Sequence, residues 1–244
     1  MMIFVNALFL LLAVVCGGLL VQVLEKRNQK KIIKLSLAFS GGFLLAIAFT
    51  HFLPELYREN ELQTGIWILV GFLVQLFLEY FSGGIEHGHI HVQENKQIPY
   101  MMLLSLSIHS FIEGIPLAGV ENSAHHHDHI IGDHHQSLLI GIILHQLPVA
   151  IALMTLLRKS KIALGKSWLL LMIFGIMTPL GMFSGLFIDQ AETSSYMDIL
   201  LSIVVGMFLH ISTTIIFETN ENHRFNLSKL VAILLGVGLS FGLM

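Results

Sequence analysis

The feature that most constrains this chain is a succession of apolar stretches, each about 20 residues long, which is the length a helix needs to cross the hydrocarbon of a bilayer. Eight can be marked, roughly Ile3–Leu24, Leu35–Leu56, Thr64–Gly83, Pro99–Val120, Ser137–Leu157, Ser167–Ile188, Tyr196–Phe217 and Leu227–Met244. They use most of the 244 residues and leave short loops, so residues 1–244 read as a single transmembrane domain. Composition agrees. Hydrophobic residues make up 55% and charged residues 12%, about half the charged share of a soluble domain. A soluble globule, a disordered chain and a nucleic-acid binder are excluded, the last also by a formal charge of −3. One cysteine, Cys16, rules out an internal disulfide framework and a cysteine-built zinc site. The expected fold is all-α, a polytopic membrane helix bundle of eight transmembrane helices. The first span lacks a basic leader region and is longer than the usual signal core, so it reads as a retained helix.

Charge orients the bundle. The loops after spans 1, 3, 5 and 7 carry Lys26, Arg27, Lys30, Lys31, Lys34, Lys96, Arg158, Lys159, Lys161, Lys166, Arg224 and Lys229, whereas the loops after spans 2, 4 and 6 carry only Arg58. By the positive-inside rule the odd-numbered connections are cytoplasmic and both termini are extracytoplasmic. Short loops and the lack of eukaryotic targeting features suggest a bacterial cytoplasmic membrane.

Histidine, at 14 residues, outnumbers Lys and Arg together at 13. Two clusters fall in loops on opposite sides: His87, His89 and His91 after span 3, and His125, His126, His127, His129, His134 and His135 between spans 4 and 5. Exposed histidine tracts bind metals loosely whatever their purpose, so these clusters are read either as ion-handling loops or as tolerated ones.

Ionisable groups at membrane depth are costly and therefore candidates for function. In span 4, His109 and Glu113 are four residues apart, which stacks an imidazole and a carboxylate on one helix face. In span 5, His145 precedes Pro148, which cannot donate to the carbonyl of Leu144. Kinked or broken helices at mid-depth are a recurring device at transporter substrate sites. Two neutral imidazoles and one carboxylate suit a borderline divalent ion such as Zn²⁺. The competing reading is a His–Glu hydrogen bond that ties two helices together. His210 has the same two readings, a pathway residue or a helix–helix contact. Glu79 and Glu218 sit near span ends from which their side chains can reach the interface. Gly17-Gly18 and Gly41-Gly42 are candidates for close helix packing.

At these residues the sequence resembles the ZIP family of zinc and iron transporters along nearly its whole length. The motif His109-Ser110-Phe111-Ile112-Glu113-Gly114 is similar to the family's helix-4 signature. Gly41-Gly42-Phe43-Leu44-Leu45 running to His51-Phe52-Leu53-Pro54-Glu55 is similar to helix 2, Thr178-Pro179-Leu180-Gly181 to helix 6, and Gly206-Met207-Phe208-Leu209-His210 running to Glu218 to helix 7. The resemblance implies eight helices, a histidine-containing loop after the third, a homodimer and a two-metal centre between helices 4 and 5, which is incomplete here. His109, Glu113 and His145 match its primary ligands. Ser110 and Gln146 stand at positions of a second site, Val149 where a His or Glu often follows the proline, and Thr178 where some members carry an acid. None of these four bears a charge, which implies one good site rather than two.

The resulting expectation is a carrier that moves a divalent cation, Zn²⁺ foremost, into the cytoplasm. The metal is its substrate and no cofactor is expected. Other partners are the lipid bilayer and, by the resemblance, a second copy of the chain. His51 would line the approach and the loop histidines would gather or receive the ion. Two other classes remain open: a metal sensor or storage protein that does not transport, and an intramembrane zinc hydrolase with Glu113 as base. Against the hydrolase, the chain has no His-Glu-x-x-His and its Asp residues lie in loops or at span ends.

Overall fold

The computed structural model describes residues 2–23, 29–58, 61–87, 98–120, 131–189, 194–217 and 227–242. Eight helical spans account for nearly all of them. These are α1 (Met2–Val23), α2 (Gln29–Ile47, continued by Ala48–Phe52 and Leu53–Leu56), α3 (Glu61–Ser82), α4 (Tyr100–Gly114, continued by Ile115–Val120), α5 (Ile131–Lys159), α6 (Leu164–Asp189), α7 (Ser194–Phe217) and α8 (Leu227–Gly242). The first seven are long and apolar enough to cross a membrane. The eighth has 16 described residues, about 24 Å at 1.5 Å per residue, somewhat short of a ~30 Å hydrocarbon core.

Polarity is inverted relative to a soluble protein. Phe4, Leu8 and Phe9 of α1 and Leu69, Phe77 and Tyr80 of α3 lie exposed, while Gln75, His109, Glu113, His145, Gln146 and Thr178 are buried. That is the arrangement of a bundle whose outer solvent is lipid, where buried polar groups must find partners inside. The chain is an integral membrane protein.

Four helix pairs carry most of the packing: α1 with α5, α2 with α8, α3 with α7 and α4 with α6. Small residues permit these approaches. A Cβ on Gly181 would lie 2.0 Å from the Phe111 carbonyl oxygen, and one on Gly114 would lie 2.1 Å from that of Thr178. The expected packing glycines behave the same way, with Gly17 against Ala150 and the Leu147 carbonyl, and Gly42 against the Ile233 carbonyl. Without a hydrophobic drive between helices in lipid, such close backbone contact is the main source of association.

Prolines shape four spans in three different ways. Pro148 and Pro179 lie inside α5 and α6, and neither ends its helix. At Pro116, α4 instead tightens into a 3₁₀ stretch over Ile115–Val120. Ahead of Pro54, α2 widens into a π-helical turn at Ala48–Phe52, with the Leu53 N–H bonded to the Ala48 carbonyl. A proline removes one helical donor and crowds the carbonyl four residues back, here that of Thr50; a local π turn accommodates both effects. Helix starts extend beyond the hydropathy limits. Helix α5 begins at Ile131, which brings the backbone of Asp133, His134 and His135 into its first turns, and α2 begins at Gln29 within the basic segment. Helix propensity and hydropathy are separate properties, and the ends of a span need only the first.

Candidate metal centre

The buried apolar side chains form two clusters. One contains Val14, Leu37, Ile85, Leu106, Val149 and Leu156. The other contains Leu10, Phe43, Phe52, Leu117, Ile142 and Met182. Along α4 the gap between Leu106 and Leu117 holds His109 and Glu113. Along α5 the gap between Ile142 and Val149 holds His145 and Gln146. These four polar residues thus share one layer, with apolar packing on either side along both helices.

Within that layer His109, Glu113 and His145 each offer a ligand atom, all within 4.8 Å of one another. All three residues are buried at 1% exposure. His109 Nε2 lies 3.0 Å from Glu113 Oε1, one helical turn along α4. The rings of His109 and His145 meet edge to face, 6.1 Å between centroids and 76° between planes. A tetrahedral ion with bonds of about 2.1 Å holds its ligands roughly 3.4 Å apart, so small side-chain rotations suffice to close the set around one cation. This is the only such group among the described residues.

Helix α3 contributes a residue that the sequence reading passed over. Gln75, fully buried, places its Oε1 2.8 Å from His109 Nδ1. An amide oxygen can only accept, so Nδ1 carries the ring proton and donates it. Nε2 is then left with its lone pair toward Glu113. Two acceptors 3.0 Å apart repel unless something positive lies between or beside them, so the pair is built to hold a proton or a metal ion. Orientation of a ligating imidazole through its other nitrogen is the usual outer-shell device at metal sites.

The remaining predicted residues divide by position. Gln146 and Thr178 are both buried and joined by a hydrogen bond from Gln146 Nε2 to Thr178 Oγ1. With its nitrogen engaged there, the Gln146 Oε1 has no hydrogen-bond partner among the described residues and is a neutral oxygen donor next to His145 in sequence. Ser110 is buried next to His109, and Val149 belongs to the apolar cluster one turn beyond His145. His51 is buried in the π turn of α2 with its Nδ1 2.8 Å from Thr50 Oγ1, and it does not join the triad. His210 sits 2.5 Å through Nε2 from Glu79 Oε2, with the Phe72 ring edge-on at 4.7 Å. This is the helix–helix contact foreseen as one reading of His210. Glu79 turns inward to α7 instead of reaching for the membrane interface. Of the loop clusters, His87 lies in a 3₁₀ turn at Ile85–His87. His89, His91, His125, His126, His127 and His129 lie outside the described residues, as does Glu218.

A polytopic helix bundle with a buried His/Glu/His group of metal-ligand type defines an integral membrane protein whose core has the donors to hold a metal ion. Comparison with known proteins makes the class specific. The sequence matches the family described as ZIP Zinc transporter over residues 1–99 and 82–244, and the chain belongs to that family. It is 28% identical to zinc transporter ZIP3 of Bos taurus, over 87% of this chain and 85% of that protein. It is 25% identical to zinc transporter ZIP3 of Homo sapiens over the same shares. Protein zntD of Dictyostelium discoideum is 29% identical over 65% of this chain and 24% of its own length. Membership in a family of transporters removes the hydrolase reading; the protein is not an enzyme.

Proposed function

We propose that this protein carries Zn²⁺, or a closely related divalent cation, into the cytoplasm through a site formed by His109, Glu113 and His145 between α4 and α5. The observation that carries this reading is the convergence of three buried ligand atoms from two helices within 4.8 Å, with one anion among them. Family membership and the names of the ZIP3 relatives support zinc as the cargo.

The chemistry follows from the donor set. Burying a divalent cation in hydrocarbon is prohibitive unless its lost water is replaced by protein donors. Two imidazoles and a carboxylate supply three, and the free Gln146 Oε1 is a neutral fourth. With one formal negative charge, the site neutralises half the ion's charge, which limits affinity and favours release. The apolar clusters on either side of the polar layer then act as two barriers. Transport requires each to part in turn, as in alternating access around a midplane site.

The basic loops orient the protein with both termini outside, so the cluster containing Val149 and Leu156 is the cytoplasmic barrier. In this scheme the histidine-rich segments of residues 87–91 and 125–129 hand ions on at the two faces, in a cytoplasmic membrane and in a homodimer. Zinc uptake into proteoliposomes tests the reading. Saturable flux in the wild type, lost in His109→Ala and Glu113→Gln, is the expected result. Undiminished flux in both variants would remove these residues from the path, and zinc binding without flux would mark a sensor or storage protein.

A further inference from the structure

The inner face of α3 carries polar groups at Gln75, Glu79 and Ser82, and the chain just past its end adds Glu86. The steps of four and three set the first three on one helix face. Each is engaged inside the bundle: Gln75 with His109, Glu79 with His210, and Ser82 with Glu86. Seven residues of helix advance about 10 Å, so this face leads from the metal layer toward the end of the bundle.

Glu86 is the unusual member. Gly83 and Gly84, with φ of 65° and 72°, turn the chain back on itself in the left-handed region that favours glycine. The following 3₁₀ turn is thereby tucked under the bundle against α2, α5 and α7. Ile85 enters the apolar cluster with Leu106 and Val149, and Glu86 follows it to complete burial. Its Oε2 lies 3.0 Å from the Ser82 hydroxyl, and its Oε1 has no hydrogen-bond partner among the described residues. As an anion, a buried carboxylate with one neutral partner and one open oxygen is costly unless a proton or a metal cation neutralises it.

We propose that the Glu86 carboxylate, backed by the Ser82 hydroxyl, is a second divalent-cation site, which takes the ion as it leaves the His109–Glu113–His145 triad through the cytoplasmic barrier. The inference rests on the transport reading given above. One carboxylate and one hydroxyl make a weak, all-oxygen site, which suits an ion that must move on rather than stay.

Glu86→Gln tests it, because glutamine keeps the size and the acceptor for Ser82 while removing the charge. Zinc uptake into proteoliposomes at saturating zinc should fall about tenfold or more, in line with the loss of a metal-site partner. The zinc Kd of the central triad and the melting temperature should stay as in the wild type. Glu86→His, which restores a ligand of different shape, should recover flux. Wild-type flux in Glu86→Gln, or equal loss in Glu86→Gln and Glu86→His, would overturn the proposal, the second by assigning Glu86 a merely structural role. A separate measurement is zinc binding by calorimetry in the His109→Ala/Glu113→Gln background. A weak residual site abolished by Glu86→Gln supports the assignment even if wild-type liposomes show no flux, and the absence of any such site refutes it.

Discussion

Replacing Gln75 by leucine isolates the effect of orienting a metal ligand without touching the ligands themselves. Gln75 Oε1 accepts from His109 Nδ1 at 2.8 Å, and both residues are buried at 0% and 1% exposure. Leucine fills nearly the same volume, so the packing change is small. It strands the Nδ1–H but also removes the Gln75 Nε2, which has no hydrogen-bond partner among the described residues, and the two effects on folding largely offset. Metal binding gains no such offset. The bound state needs the proton on Nδ1 and the lone pair on Nε2, and an unsatisfied buried N–H costs about 1–3 kcal/mol. Loss of an outer-shell partner typically weakens metal affinity by about 10–100-fold, or roughly 1.4–2.7 kcal/mol. The two estimates agree, so the zinc Kd of Gln75→Leu should rise by one to two orders of magnitude with little change in melting temperature. Gln75→Glu, which keeps an acceptor at the same place, should bind zinc at least as tightly as the wild type. Competition with a chromophoric chelator in detergent near pH 7.5 measures both. A Gln75→Leu protein with wild-type affinity would show that His109 does not bind metal in the orientation described.

Other consequences are as direct. Zinc binding should weaken as pH falls through the usual imidazole range near 6.5, because the metal needs the neutral lone pair and protons compete for it; affinity independent of pH between about 5 and 8 would contradict the ligand set. Val149 lies one turn beyond His145, so Val149→His adds a donor on the same face. It should tighten zinc binding by about tenfold or more while slowing turnover, whereas unchanged affinity would place the ion elsewhere. Gly181→Leu forces side-chain atoms into space where even a Cβ lies 2.0 Å from the Phe111 carbonyl. Separating α4 from α6 should cost about 1–3 kcal/mol or more, visible as a lower melting temperature in detergent.

Much of the architecture could be read from residue order alone, because hydrocarbon permits few ways to satisfy a backbone. Seven apolar stretches became seven membrane-length helices. The triad was legible too, since His109 and Glu113 share a helix face by their spacing and an ionisable residue at depth needs a reason. Helix partners were not legible. Gly42 and Gly181 announce a close contact, but nothing in either identifies Ile233 or Phe111 as the neighbour. The π turn at Ala48–Phe52 escaped notice because Pro54 alone predicts only some relief, not its form. The role of α3 was missed for a different reason. Glu79 and Glu86 lie near the end of a span, where acids ordinarily reach water, and only the fold turns them inward. The spacing of Gln75, Glu79 and Ser82 was nevertheless a signal, since three polar residues on one face of an otherwise apolar helix seldom face lipid.

The central claim is that one cation is held where α4 meets α5. Anomalous diffraction at the zinc absorption edge, from crystals grown near neutral pH with ample zinc, tests it most directly. A single strong peak within bonding distance of His109 Nε2, a Glu113 oxygen and a His145 nitrogen is the predicted result. A well-ordered triad with no anomalous density among its three side chains would contradict it.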